Sequence, residues 1–175
     1  MSDQQTEPIF TVGHSTRPIE DFIALLQAHK IDLLADVRTV PRSRHNPQFN
    51  RDTLPETLRR AGIGYLHLAE LGGLRKARPD STNTGWRNLS FRGYADYMQT
   101  PEFEHGLTHL MNEAATHRVA IMCAEAVPWR CHRSLIADAL TARGAEVFEL
   151  SSMTRAQLHT MTPFARIDGT RVTYP

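Results

Sequence analysis

The stretch Val119-Ala-Ile-Met-Cys-Ala-Glu-Ala-Val-Pro-Trp-Arg-Cys-His-Arg-Ser-Leu-Ile-Ala-Asp-Ala-Leu140 decides the fold. It opens with an apolar run, Val119 to Met122, of the kind a buried strand presents. A polar group follows at once, comprising Cys123, Glu125, Trp129, Arg130, Cys131, His132 and Arg133. Leu135, Ile136, Ala139 and Leu140 then recur at helical spacing, which predicts a helix starting near Cys131. A strand that ends, releases polar side chains into a loop and enters a helix is a common ligand site in open α/β sheets. The helix N-terminus there favours an anion and lowers the pKa of a nearby thiol.

The same grammar recurs on either side. Ile9-Phe-Thr-Val12 reads as a strand ending at Gly13-His14-Ser15-Thr16. Pro18 suits a first helical turn, and Ile19, Phe22, Ile23, Leu25 and Leu26 form an apolar helix face. Ile31 to Val37 is a second strand with Asp36 and Arg38 at its end, and Tyr65 to Leu68 a third. Helices are expected over Asp52–Ala61, Phe91–Met98 and Glu102–Thr116, and a last strand over Glu146–Leu150. Strands alternating with helices predict an α/β fold: a single three-layer domain with a mostly parallel central sheet flanked by helices, Rossmann-like. The expected organisation is a disordered tail over 1–8, the α/β domain over 9–152 and a C-terminal extension over 153–175 packed on it. A short helix from Thr154 and a hairpin turning at Asp168-Gly169 are expected in that extension. The irregular region from Leu71 to about Asn88 is too long for a simple connection, and is read as functional or partly disordered.

Composition narrows the classes. A chain of 175 residues, 41% hydrophobic and 22% charged, fits one soluble domain with its own core. The net charge of +1 gives no global case for nucleic acid or membrane. Among the 20 Lys and Arg only Lys30 and Lys76 are lysine, and arginines crowd the segment from Arg38 to Arg92. Arginine binds phosphate and carboxylate through two parallel hydrogen bonds, so this distribution suits an anionic ligand, although a coding bias toward Arg explains it equally well. The 2 cysteines cannot form a disulfide framework, no basic-then-apolar leader opens the chain, and no apolar run is of membrane-spanning length. A reducing cytoplasm, where both thiols stay free, is the expected setting.

Cys123 and Cys131 lie eight positions apart. One reading makes a thiolate nucleophile, with His132 or Glu125 moving protons and Arg130 or Arg133 holding an anion. Cys123 and Arg130 enclose six residues, one more than the phosphatase loop has, and Pro128 removes a backbone donor. Metal ligation by Cys123, Cys131, His132 and His14 is a poor fit, because adjacent side chains rarely aim at one ion. Packing of both cysteines as small apolar residues is the third reading. Asp36 can orient Arg38 or act as a base, while Arg38, Arg42 and Arg44 with Ser43 can hold phosphate. Gly13 permits a tight turn, Ser15 or Thr16 is positioned to cap the next helix, and His14 faces the crevice. Trp86 and Tyr94 either stack bases beside the basic loop or pin that loop to the core.

Taken together, Thr11-Val-Gly-His-Ser15, Asp36-Val-Arg38 with Pro41, Ser43 and Arg44, Leu71-Gly-Gly73, Cys123-Ala-Glu125 and Cys131-His-Arg133 resemble the bacterial and archaeal family known as domain of unknown function 488. The resemblance runs from about Phe10 to Leu150 and matches at Gly13, His14, Ser15, Asp36, Arg38, Pro41, Ser43, Cys123, Glu125, Cys131, His132 and Arg133. It implies an α/β domain with one shared pocket built from these clusters, and it implies no activity.

The functional expectation is an enzyme, a thiol-dependent hydrolase or transferase, acting on a phosphorylated or anionic and nucleotide-like substrate. Its catalytic set is Cys123 as nucleophile or thiol relay, His132 and Glu125 as acid and base, and Cys131. Its ligand-binding set is Gly13, His14, Ser15, Asp36, Arg38, Ser43, Arg44 and Arg133. No metal is expected and no cofactor is indicated. The alternatives are a module that binds a nucleotide or nucleic acid without catalysis, and an interaction domain whose polar clusters only knit the sheet edge.

Overall fold

The computed structural model describes residues 7–175, and residues 1–6 of the expected N-terminal tail lie outside that range. Strands β1 (Ile9–Gly13), β2 (Leu33–Asp36), β3 (Gly64–His67), β4 (Val119–Cys123) and β5 (Val147–Ser152) run parallel, and β6 (Arg155–Leu158) adds antiparallel to β5. Their order across the sheet is β3-β2-β4-β1-β5-β6. All five residues of β4 are buried, as a central parallel strand covered on both faces requires. The pleat divides them. Val119, Ile121 and Cys123 enter one core, and Ala120 and Met122 enter the other.

Helices supply the outer layers. Phe22, Leu25 and Leu26 of α1 (Ile19–Ala28) and Leu54 and Leu58 of α2 (Leu54–Arg60) cover the Ala120–Met122 face. The opposite face receives α3 (Leu89–Tyr97), α4 (Pro101–Ala114) and α5 (Arg133–Ala142). Each large apolar side chain withdrawn from water in this way contributes about 1.5–3 kcal/mol before entropy opposes it. Because α1 after β1 and α5 after β4 cover opposite faces, the chain leaves these adjacent strands in opposite directions, which opens a crevice beyond their carboxyl ends. The result is a three-layer α/β fold with a mostly parallel central sheet.

Two local expectations are corrected. Ser15 and Thr16 do not cap α1; Pro18 holds the cap position and no side chain hydrogen-bonds there. The reason is that Ser15 still belongs to the sheet edge, where its N–H donates to the Ala124 carbonyl at 2.9 Å. The segment after Thr154 is strand β6 rather than a helix. The open edge of β5 offers it backbone partners, and Met153-Thr154 makes the two-residue turn between Ser152 and Arg155.

Beyond β6, strands β7 (Arg166–Asp168) and β8 (Arg171–Thr173) form a hairpin around Gly169, whose φ of 62° suits glycine. Asp138 of α5, fully buried, fastens this region to the domain. Its carboxylate meets His159 Nε2 at 2.7 Å and accepts from the Thr162 N–H and hydroxyl and the Tyr174 hydroxyl. Trp86 packs among Phe91, Phe164 and Tyr174, so the long loop is pinned to the core. Among the described residues no helix is long and apolar enough to cross a membrane.

Candidate functional site

Parallel register brings the polar clusters to one level, since Gly13 pairs with Cys123 and Asp36 with Met122. Gly13 is required there: a Cβ would lie 1.8 Å from the Glu125 carbonyl oxygen, because the loop after β4 folds directly over it. His14, Arg38, Ser43, Cys123, Glu125, Cys131 and His132 all line one cavity of about 430 Å³. Arg42 and Arg130 contribute two more cations to its wall, and Val40, Leu74, Phe91 and Tyr94 line its apolar side. Gly73 completes the enclosure, where a Cβ would come within 3.1 Å of the His132 ring. The Leu71-Gly-Gly73 motif therefore lets backbone approach the site, and Thr39 holds it by donating its hydroxyl to the Gly73 carbonyl at 2.7 Å.

On the thiol side, His132 Nε2 lies 2.9 Å from the Val37 carbonyl, which can only accept. The proton is therefore on Nε2, and Nδ1 presents its lone pair to Cys131 Sγ at 3.6 Å. The Arg133 backbone N–H, at the start of α5, donates to the same sulfur at 3.5 Å. Cys123 Sγ takes a hydrogen bond from Arg133 Nη1 at 2.7 Å. Cys131 is the stronger acid, lowered by hydrogen bonding from Cys123 and then by His132 and Arg133, which together outweigh its burial. Cys123 is pushed up, first by burial and then by the neighbouring Cys131.

On the opposite side, Asp36 and Arg38 form a bidentate pair at 2.9 and 2.7 Å. Tyr65 donates to Asp36 at 2.6 Å, and Arg38 Nη2 donates to the Phe49 carbonyl at 2.6 Å. Asp36 is fully buried behind Arg38, so it orients the guanidinium and does not reach the cavity. His14 stacks on Phe49 with ring centroids 4.2 Å apart, and its Nδ1 lies 2.8 Å from the Ser15 carbonyl. That leaves Nε2 as the acceptor 3.4 Å from Arg38 Nη1. Burial lowers the pKa of His14 to about 4, so its ring is neutral at ordinary pH.

Several expected ligand residues serve elsewhere. Arg133 is the largest fully buried side chain and does not line the cavity. Its guanidinium is occupied by Glu149 at 2.7 Å, by the Glu125 and Ala126 carbonyls and by Cys123. Burial works against its charge, yet Cys123 and Glu149 hold its pKa above the usual arginine value. The loop after β4 thus turns carbonyls inward to Arg133 instead of cradling an anion with N–H groups. Arg44 is exposed and outside the lining, with Arg42 in its stead. Gly13, Ser15 and Asp36 lie beneath or behind the cavity wall. Ser43 lines it, while its N–H donates to Asn50 Oδ1 at 2.6 Å and its hydroxyl accepts from the Asn46 N–H, shaping the loop. Glu125 is exposed at the rim and accepts from the Val127 N–H at 3.2 Å.

Sequence reasoning missed Glu149 and Phe49. A carboxylate inside the short apolar strand Val147-Phe-Glu-Leu150, and a lone aromatic inside a polar loop, are the signals that point to them. Among the described residues no three His, Cys, Asp or Glu side chains converge as a metal-ligand set.

A family model described as "Domain of unknown function DUF488" matches residues 18–140, a narrower span than Phe10–Leu150 at both ends. Searches of curated proteins and of solved structures found no match.

Proposed function

The chain belongs to the DUF488 family, and from its site we propose an enzyme that uses Cys131 as a thiolate nucleophile on an anionic, nucleotide-like substrate. The observation that carries this reading is the contact of Cys131 with the His132 Nδ1 lone pair, inside a cavity walled by Arg38, Arg42 and Arg130. Arg42 and Arg130 make no ion pair among the described residues, so their charge is free for a ligand. Arg38, fixed in place by Asp36, lines the same cavity.

The reaction follows from these positions. Cys131 gives its proton to His132 Nδ1, and the Val37 carbonyl holds the resulting imidazolium by its Nε2–H. The thiolate attacks the electrophilic centre of the substrate while the arginines hold the anionic group. As the sulfur bond forms, the bond to the leaving group breaks, and His132 returns its proton to that group. Water, for a hydrolase, or a second substrate, for a transferase, then gives its proton to His132 and displaces the thiolate. Cys123, under Arg133, acts as the proton-sharing neighbour that keeps Cys131 ionised. Reduced thiols are required, which suits a cytoplasmic setting.

Site-resolved alkylation across pH, read by mass spectrometry with and without phosphate or a mononucleotide, tests this. Cys131 should react well below the ordinary thiol pKa of about 8.5, and the anion should slow it. Inert thiols in the folded protein would sink the mechanism and leave a nucleotide-binding module as the reading.

A further inference from the structure

A second cavity, of about 520 Å³, is lined by Arg75, Lys76, Arg78 and Arg92, and Ser90 lines both it and the thiol cavity. Its walls are built. The Arg75–Ala77 backbone rests on Gly93 of α3, where a Cβ would lie 2.1 Å from the Arg75 carbonyl oxygen. Asp96 holds the rest of the loop by accepting from the Arg78 N–H, the Ser81 hydroxyl and the Asn83 amide. Arg75 is flattened over the Tyr97 ring at 3.7 Å, and Arg92 Nε donates to the Trp86 carbonyl.

Most of the charge here is uncompensated. Only Arg78 meets a carboxylate, Asp80, and both partners are largely exposed. No carboxylate among the described residues pairs with Arg75, Lys76 or Arg92. Between the two sets of cations stands a ridge of Leu89, Ser90 and Phe91, with Leu89 64% exposed. Cations, then an apolar ridge, then cations again is the alternation that a chain of phosphates and bases meets with its backbone and its rings. A net charge of only +1 argues against the wide basic face that a duplex needs.

We propose that the second cavity binds the phosphates next along a single-stranded nucleic acid whose reacting nucleotide occupies the thiol cavity. This deepens the reading of the thiol site and rests on it for the identity of the reacting end.

Binding of a fluorescently labelled single-stranded tetranucleotide to the intact protein, followed by anisotropy over a salt series, tests the inference. Lys76→Glu should weaken binding by about tenfold and reduce the salt slope by about 0.7 for each phosphate the variant no longer neutralises. Phosphate protection of Cys131 from alkylation should be the same in this variant as in the wild type. No binding, binding indifferent to Lys76→Glu, or a nucleoside triphosphate competing as well as the tetranucleotide would each overturn it. Failure of the thiol reading looks different. In that case the tetranucleotide binds through Lys76 yet neither it nor phosphate slows alkylation of Cys131.

Discussion

Two arginine–carboxylate pairs, each with a buried arginine, stand on either side of the site, and they do opposite work. Asp36 and Arg38 are two residues apart at the end of one strand, and the arginine of that pair lines the cavity. Arg133 and Glu149 join α5 to β5, and every donor group of that arginine is occupied beneath the cavity floor. The first pair can touch a ligand. The second holds the loop that carries the thiols. An arginine at a strand–helix junction is therefore no indication of an anion clamp until its remaining donors have been counted.

The sharpest way to break this contrast is to remove one carboxylate. Glu149→Ala leaves a buried guanidinium without its counter-charge, which should cost about 3–5 kcal/mol in denaturant unfolding. It should also loosen the thiol loop, so that Cys123 becomes open to alkylation. Arg38→Leu should cost less, because Asp36 keeps the Tyr65 hydroxyl and a backbone N–H. Its main effect should be loss of anion protection at Cys131. Equal stability losses with protection intact in both variants would erase the distinction.

A smaller effect comes from the histidine beside Arg38. His14 has its pKa lowered to about 4 by burial, against 6.5 when unfolded. Between these values the unfolded chain binds the proton and the folded one does not, so stability rises with pH across the window and is level above it. The swing should be on the order of 3 kcal/mol. Replacing the ring in His14→Phe should flatten the stability–pH curve over pH 4–6.5; an unchanged slope would show that other groups cause it. Smallest of all is the difference between two neighbouring arginines. Arg42→Ala should weaken phosphate protection of Cys131 several-fold, about 1 kcal/mol for one exposed charged hydrogen bond, whereas Arg44→Ala should leave it unaltered.

Much of the site is legible in the sequence because strand ends are local features. An apolar run that stops at Gly13, Asp36 or Cys123 announces its own terminus, and parallel strands place such termini on one edge. The pinned loop is less so. Trp86 and Tyr94 allow stacking or anchoring, and only the packing of Trp86 against Phe91, Phe164 and Tyr174 decides for anchoring. The segment after Thr154 reads as a helix in isolation because its strand character comes from the edge of β5, a partner that local periodicity does not contain.

By itself, then, the sequence determined the alternation of strands and helices, the sheet edge on which the polar clusters meet, and the family. These depend on hydrophobic period and on residues close in the chain. Tertiary structure alone decided which cysteine is the acid, which arginines face the cavity and which are consumed beneath it. Each of those outcomes depends on a partner brought from another element: Val37 orients His132, Glu149 occupies Arg133, and Gly73 and Gly93 let backbone close around the two cavities. A side chain's proton affinity and direction are set by what packs against it, and that neighbour is chosen by the fold.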